Sequence, residues 1–254
     1  MLRFVLALAL LVPALVMAQP TVRLEEMTWT EVRDRVAAGT TTILIPIGGT
    51  EQNGPHMVLG KHNVRARVLA DEIARKLGNA VVAPVVSYVP EPGHIRYPGT
   101  ISIPDAAFDS LLEGAARSFQ QHGFRDVVFL GDHGGYMKNL DRVAAKLNRE
   151  WQSGPARAHA LPEYYRVTET KYPAELKQRG FTPAEIGTHA GLADTSLALA
   201  VDKSLVRTDA LSHTAPDKDG VHGDPRRASA DLGQLGVREI VETTVAQIQR
   251  VTRR

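Results

Sequence analysis

Three short apolar runs, each followed by a helical pattern, constrain this chain more than anything else in it. Thr42–Ile47 is β-branched and apolar and ends at Gly48-Gly49. Residues 80–86 form a second such run and residues 126–130 a third. Short runs of this kind read as buried strands. Between them, residues 64–77 place Val64, Val68, Leu69, Ile73 and Leu77 at helical spacing. Asp105–Gln121 does the same with Phe108, Leu111, Leu112, Ala115 and Phe119, and residues 140–151 supply a third helix. Strands alternating with helices predict an α/β fold, a mostly parallel sheet flanked by helices. The later chain predicts short helices over residues 173–178 and Pro183–Ile186, a helix starting at Asp194, and a closing helix over residues 237–251. No repeat, low-complexity tract or linker divides it, so residues 19–254 read as one domain.

Residues 1–18 stand apart. Arg3 precedes an apolar run over residues 4–16, and Val16-Met17-Ala18 resembles a cleavage signal. The run is short for a membrane span. It reads as a signal peptide, with an uncleaved anchor as the alternative, and predicts a secreted or periplasmic protein. Export brings no disulfides, because the chain has no cysteine. The net charge of +2 and the scattered arginines give no sign of a nucleic-acid partner. After signal cleavage no membrane partner is expected.

Ligands of open parallel sheets bind beyond the carboxyl ends of the strands. Two polar clusters follow predicted strands there: Glu51-Gln52-Asn53-Gly54-Pro55-His56, continuing to Lys61-His62-Asn63, and Asp132-His133-Gly134-Gly135. A third, Thr188-His189-Ala190-Gly191 with Asp194-Thr195-Ser196, precedes a helix. Imidazole and carboxylate groups suit zinc and similar divalent ions. Each piece also has a plainer reading. Glu51 can be a solvated loop residue, Gly134-Gly135 a tight turn, and Asp132 and Asp194 helix caps. His94 and His122 read as peripheral.

The order of motifs resembles the creatininase family of metal-dependent amidohydrolases. Residues 45–56, IPIGGTEQNGPH, resemble that family's P-x-G-S-x-E-Q-H-G-P-H-L. Tyr97-Pro98-Gly99-Thr100-Ile101-Ser102 resembles its F-P-G-T-I-S, and Asp132-His133-Gly134-Gly135 its G-H-G-G. His189-Ala190-Gly191 with Asp194-Thr195-Ser196 resembles H-A-G-x-x-E-T-S, and Gly220-Val221-His222-Gly223-Asp224-Pro225 resembles G-x-x-G-D-P. The resemblance implies hydrolysis of a non-peptide C–N bond in a small cyclic amide or related compound, and a homo-oligomer. It also implies a pair of metal ions bridged by an aspartate. This chain departs from that set: Asn53 stands where the family has a histidine ligand, His62 where it has the bridging aspartate, and Gly135 where some members have a glutamate. Asp194 shortens the family's glutamate. A neutral imidazole offers a metal one lone pair and cannot bridge as a carboxylate does. The expectation is therefore one divalent ion, zinc or else manganese, on Glu51, His62, His133 and Asp194. His189 would protonate the leaving nitrogen. The competing expectation is an exported small-molecule binding protein that keeps the fold and has lost the metal.

Overall fold

The computed structural model describes residues 21–253. The expected signal peptide, residues 1–18, lies outside them. Four strands, β1 (Thr42–Ile47), β2 (Ala80–Val82), β3 (Asp126–Gly131) and β4 (Arg157–Ala160), form a wholly parallel sheet in the order β2-β1-β3-β4. β1 and β3 lie side by side in register from Thr42↔Asp126 to Ile47↔Gly131. Every residue of both is buried, as a parallel sheet covered on both faces requires.

α1 (Trp29–Ala37) precedes β1, α2 (Lys61–Leu77) links β1 to β2, α3 (Asp105–Gln121) leads into β3, and α4 (Met137–Glu150) links β3 to β4. α5 (Pro162–Glu169), α6 (Lys171–Gln178), α7 (Pro183–Ile186), α8 (Leu192–Val201), α9 (Thr208–His213) and α10 (Ala230–Thr252) follow. The pleat divides the strand residues between two cores. Ile43, Ile45, Ile47, Val127 and Phe129 pack with Phe108 and Leu112 of α3 and Leu140 and Val143 of α4. Leu44, Val128 and Leu130 face the other way, toward Leu69 and Ile73 of α2, Leu197 of α8 and Ile240 of α10. The predicted α/β architecture of parallel strands flanked by helices is the one observed.

Some boundaries differ from the expectation, each for a local reason. β2 stops at Val82, and Val86 meets β1 only through a single bridge to Ile47. Pro84 lies between and has no N–H for a ladder. α2 begins at Lys61, ahead of its first apolar residue, so Lys61, His62 and Arg65 enter the fold on its buried face. α8 and α10 cross at Gly233, where a Cβ would lie 1.9 Å from the Ser196 carbonyl oxygen. Among the described residues no helix is long and apolar enough to cross a membrane.

The strand order matters for the site. From β1 the chain turns one way to β2 and later the other way to β3, so the order reverses between β1 and β3. A crevice opens at such a switch point beyond the carboxyl ends. Glu51 lies just past the end of β1, and Asp132 and His133 just past the end of β3.

Candidate active site

Glu51 is the centre of the crevice and is 1% exposed. Its Oε1 lies 2.7 Å from His62 Nε2 and its Oε2 lies 2.8 Å from His94 Nδ1. His133 Nε2 is 3.7 Å from Oε2, and His189 Nδ1 is 3.9 Å from Oε1. Burial works against the Glu51 charge, yet the His62 hydrogen bond and charge outweigh it and hold the carboxyl well below the usual range.

His62 is committed at both ends. Nε2 is on Glu51, and Nδ1 lies 2.7 Å from Asp132 Oδ2. A carboxylate at each ring nitrogen favours the doubly protonated imidazole, while Arg65 Nη2 also lies 3.2 Å from Nδ1. Burial and the nearby Lys61 oppose that charge, but the two carboxylates raise the group above its ordinary value. Asp132 also accepts from Arg65 Nε at 2.9 Å and from the Tyr164 hydroxyl at 3.1 Å.

Asp194 shares Arg65 with Asp132 and has two further donors of its own. Arg65 donates to its Oδ1 at 2.7 Å, and Lys61 and the Ala190 backbone N–H donate to Oδ2. Burial disfavours its charge, but Lys61 and Arg65 hold it well below the ordinary carboxylate range.

Two groups of ligand atoms converge on Glu51: Glu51 with His94 and His189, and Glu51 with Glu91 and His133, each within 4.8 Å. Burial pushes the His133 and His189 imidazoles down to about 4, leaving both neutral near pH 7 and able to offer a lone pair. His189 Nε2 is 3.0 Å from the Gln52 main-chain oxygen and equally far from the Gln52 side-chain Nε2. When Nε2 donates to that oxygen, Nδ1 faces Glu51 bare. Glu91 Oε2 lies 3.2 Å from His133 Nδ1, and burial, aided by the Glu51 charge, raises the Glu91 carboxyl to about 6. Asn53 anchors its Nδ2 on the Glu51 main-chain oxygen at 2.9 Å, while its buried Oδ1 has no partner among the described residues.

Of the residues singled out in the sequence, the structure brings Glu51, His133 and His189 into these groups. It does not bring in His62, whose nitrogens both hold carboxylates, or Asp194, which Lys61 and Arg65 occupy. Instead Glu91 and His94 complete the groups, and the peripheral reading of His94 is corrected: its ring lies 4.5 Å from that of His189. Both residues follow the run that contains β2, the third strand end on this edge, and that position was the available signal. A cavity of about 370 Å³ opens beside the cluster, lined by Lys61, Arg65, His133, Tyr165, His189 and Asp194 among others.

The family model described as creatinine amidohydrolase matches residues 25–248. A mycofactocin precursor peptide peptidase of Mycolicibacterium smegmatis is 31% identical over 234 residues, covering 82% of this chain and 84% of that protein. A creatinine amidohydrolase of Pseudomonas putida is 28% identical over 217 residues, covering 81% and 83%. A 3-dehydro-scyllo-inosose hydrolase of Thermotoga maritima is 28% identical, covering 79% of this chain and 63% of its own length. Among solved structures, a tryptophan-to-alanine mutant creatininase superposes with a TM-score of 0.81 at 23% identity, covering 92% of this chain and all of its own. Another, described as creatininase Mn, gives 0.77 at 23% identity over the same shares, and a third is described as a Zn-Zn type creatininase mutant.

Proposed function

Because this chain belongs to the creatininase family, and is thus a hydrolase of that type, we propose that it is an exported amidohydrolase that holds one divalent ion on Glu51, Glu91 and His133. The substrate class we infer is a small cyclic amide or related compound with a non-peptide C–N bond. The observation that carries the reading is the buried Glu51 carboxylate, with a second carboxylate and neutral imidazoles converging on it.

The donor set fits a divalent ion. Asp132 and Asp194 are balanced by Arg65 and Lys61, so they need no metal. Glu51 and Glu91 offer two carboxylates to one doubly charged ion. His133 adds a neutral nitrogen, and the orphaned Asn53 oxygen is a spare acceptor on the same loop. Zinc accepts this mixture, as does manganese, and ions of both kinds are named for structural relatives. Such an ion supplies Lewis acidity toward a carbonyl and toward water.

The remaining residues have distinct tasks. His94, hydrogen-bonded to Glu51, fixes the orientation of that carboxylate. His189, which faces both Glu51 and the cavity, takes a proton from water at its bare Nδ1 and delivers it to the leaving nitrogen. The cavity has room for a compact substrate. Homo-oligomerisation is also part of this reading, and light scattering tests it.

A second reading, exported small-molecule binding without a metal, draws on His62, Lys61 and Arg65, which satisfy three buried carboxylates using protein cations alone. Elemental analysis of the purified protein separates the two, followed by a hydrolysis screen of lactams, cyclic ureides and formamides. Near one equivalent of zinc or manganese together with turnover supports the enzyme. A metal-free protein that binds such compounds without cleaving them would replace it with the binding reading.

A further inference from the structure

Lys61 opens α2, is 1% exposed and lines the cavity together with His133 and His189. An ammonium carries three N–H donors. Among the described residues the Lys61 ammonium hydrogen-bonds only Asp194, so two donors are uncommitted in a place shielded from bulk water. A buried donor without an acceptor costs free energy. Nor does Asp194 depend on Lys61, since Arg65 and the Ala190 N–H already donate to it. A methionine would fill the same space without the desolvation cost. The spare donors point to an acceptor that arrives with a ligand.

We propose that Lys61 is a further catalytic residue, whose free N–H donors hold the substrate carbonyl oxygen and the negative charge that collects on it. This rests on the hydrolase reading above. A C–O bond forms from the water oxygen to the carbonyl carbon as a water proton passes to the bare Nδ1 of His189, while the C=O electron pair moves onto oxygen. The pair returns as the C–N bond breaks, and the nitrogen leaves with a proton from His189. A fixed ammonium donor binds the oxyanion more strongly than the neutral carbonyl, so it lowers the barrier more than it tightens substrate binding. Arg65 cannot take this part, because its guanidinium is spread across Asp132 and Asp194.

Methylphosphonate, a tetrahedral oxyanion, is a direct probe. Its affinity for the zinc-loaded full chain is measured by calorimetry, with zinc content determined on the same samples. Lys61→Met should keep its zinc and bind methylphosphonate at least roughly tenfold more weakly, the size of a charge-assisted hydrogen bond. Lys61→Arg, which keeps charge and donors, should lose less. Native affinity in zinc-replete Lys61→Met would overturn the proposal and leave the hydrolase reading standing, as would zinc-loaded native protein that ignores the probe. Native protein that takes up no zinc or manganese would remove both. Should Lys61→Met fail to fold, Lys61→Met combined with Asp194→Asn removes both charges of the pair and carries the same expectation and the same refutation.

Discussion

His62 donates to Glu51 Oε1 at 2.7 Å from one ring nitrogen and to Asp132 Oδ2 at 2.7 Å from the other. One imidazolium thus joins the loop after β1 to the loop after β3. Removing it leaves two buried carboxylates each short of a partner. We expect His62→Ala to destabilise the metal-free protein by about 3–5 kcal/mol, the usual cost of breaking a buried ion pair from one side. Urea unfolding measures this. A loss of under about 1 kcal/mol, typical of an exposed pair, would show that water compensates the two acids.

Glu91 and His94 should separate in a metal titration. Glu91→Gln removes one of two charged ligands and is expected to leave far less than one equivalent bound, as is His133→Ala. His94→Ala removes only a partner of Glu51, so affinity should drop roughly 10–100-fold with stoichiometry recoverable at high metal. If His94→Ala abolishes binding and Glu91→Gln does not, the ion belongs to the group formed by Glu51, His94 and His189.

Acid should loosen the metal-free fold through His56. This histidine is fully buried, with Nε2 2.9 Å from Thr195 Oγ1 and Nδ1 without a partner among the described residues. Burial lowers it from 6.5 to about 4. Between those values the native state binds fewer protons than the unfolded chain, so stability rises with pH across the window. The contribution is fully present above 6.5 and is lost as pH falls toward about 4. His133 and His189 act in the same direction. Urea midpoints at the two ends of the window should differ less in His56→Gln than in the native protein. Identical pH dependence in the two would remove His56 from the account.

Gly233→Ala should be costly although it adds one methyl group. Its Cβ would lie 1.9 Å from the Ser196 carbonyl oxygen, so α10 must move off α8. A loss of about 1–3 kcal/mol is expected for such overpacking. A thermal midpoint equal to that of the native protein would show that the two helices slide apart freely.

On the export reading proposed above, the mature protein should begin near Gln19, after the signal expected at Val16-Met17-Ala18. Amino-terminal sequencing of secreted or periplasmic material checks this, and an intact Met1 there would count against cleavage.

The sheet was legible because β1 and β3 are continuous β-branched or apolar runs, and both were placed to within a residue. β4 was not, because Arg-Ala-His-Ala lacks the composition of a buried strand and lies at the sheet edge beside β3 alone. α1 was missed too, although Thr28 and Glu31 form a capping box that announces it. In the site, Glu51 and His133 stood out because polar residues follow apolar runs, and His189 because its polar cluster precedes a helix. Glu91 and His94 did not, since they lie in a proline- and glycine-rich stretch with no helical or strand period. The pairing of Asp194 with Lys61 and Arg65 was hidden because it joins residues more than a hundred positions apart, and only the packing of α8 against α2 brings them together.

Glu51 and His133 hang from neighbouring strands that lie in register to their last residues. The backbone ladder acts as a ruler there, with adjacent strands roughly 4.8 Å apart. Glu91 and His94 are held on an irregular segment that no ladder constrains. Half of the site is therefore framed by main-chain geometry and half by a replaceable strap. Substitutions at Glu91 or His94 change the donors around Glu51 without breaking any hydrogen bond of the sheet ladder.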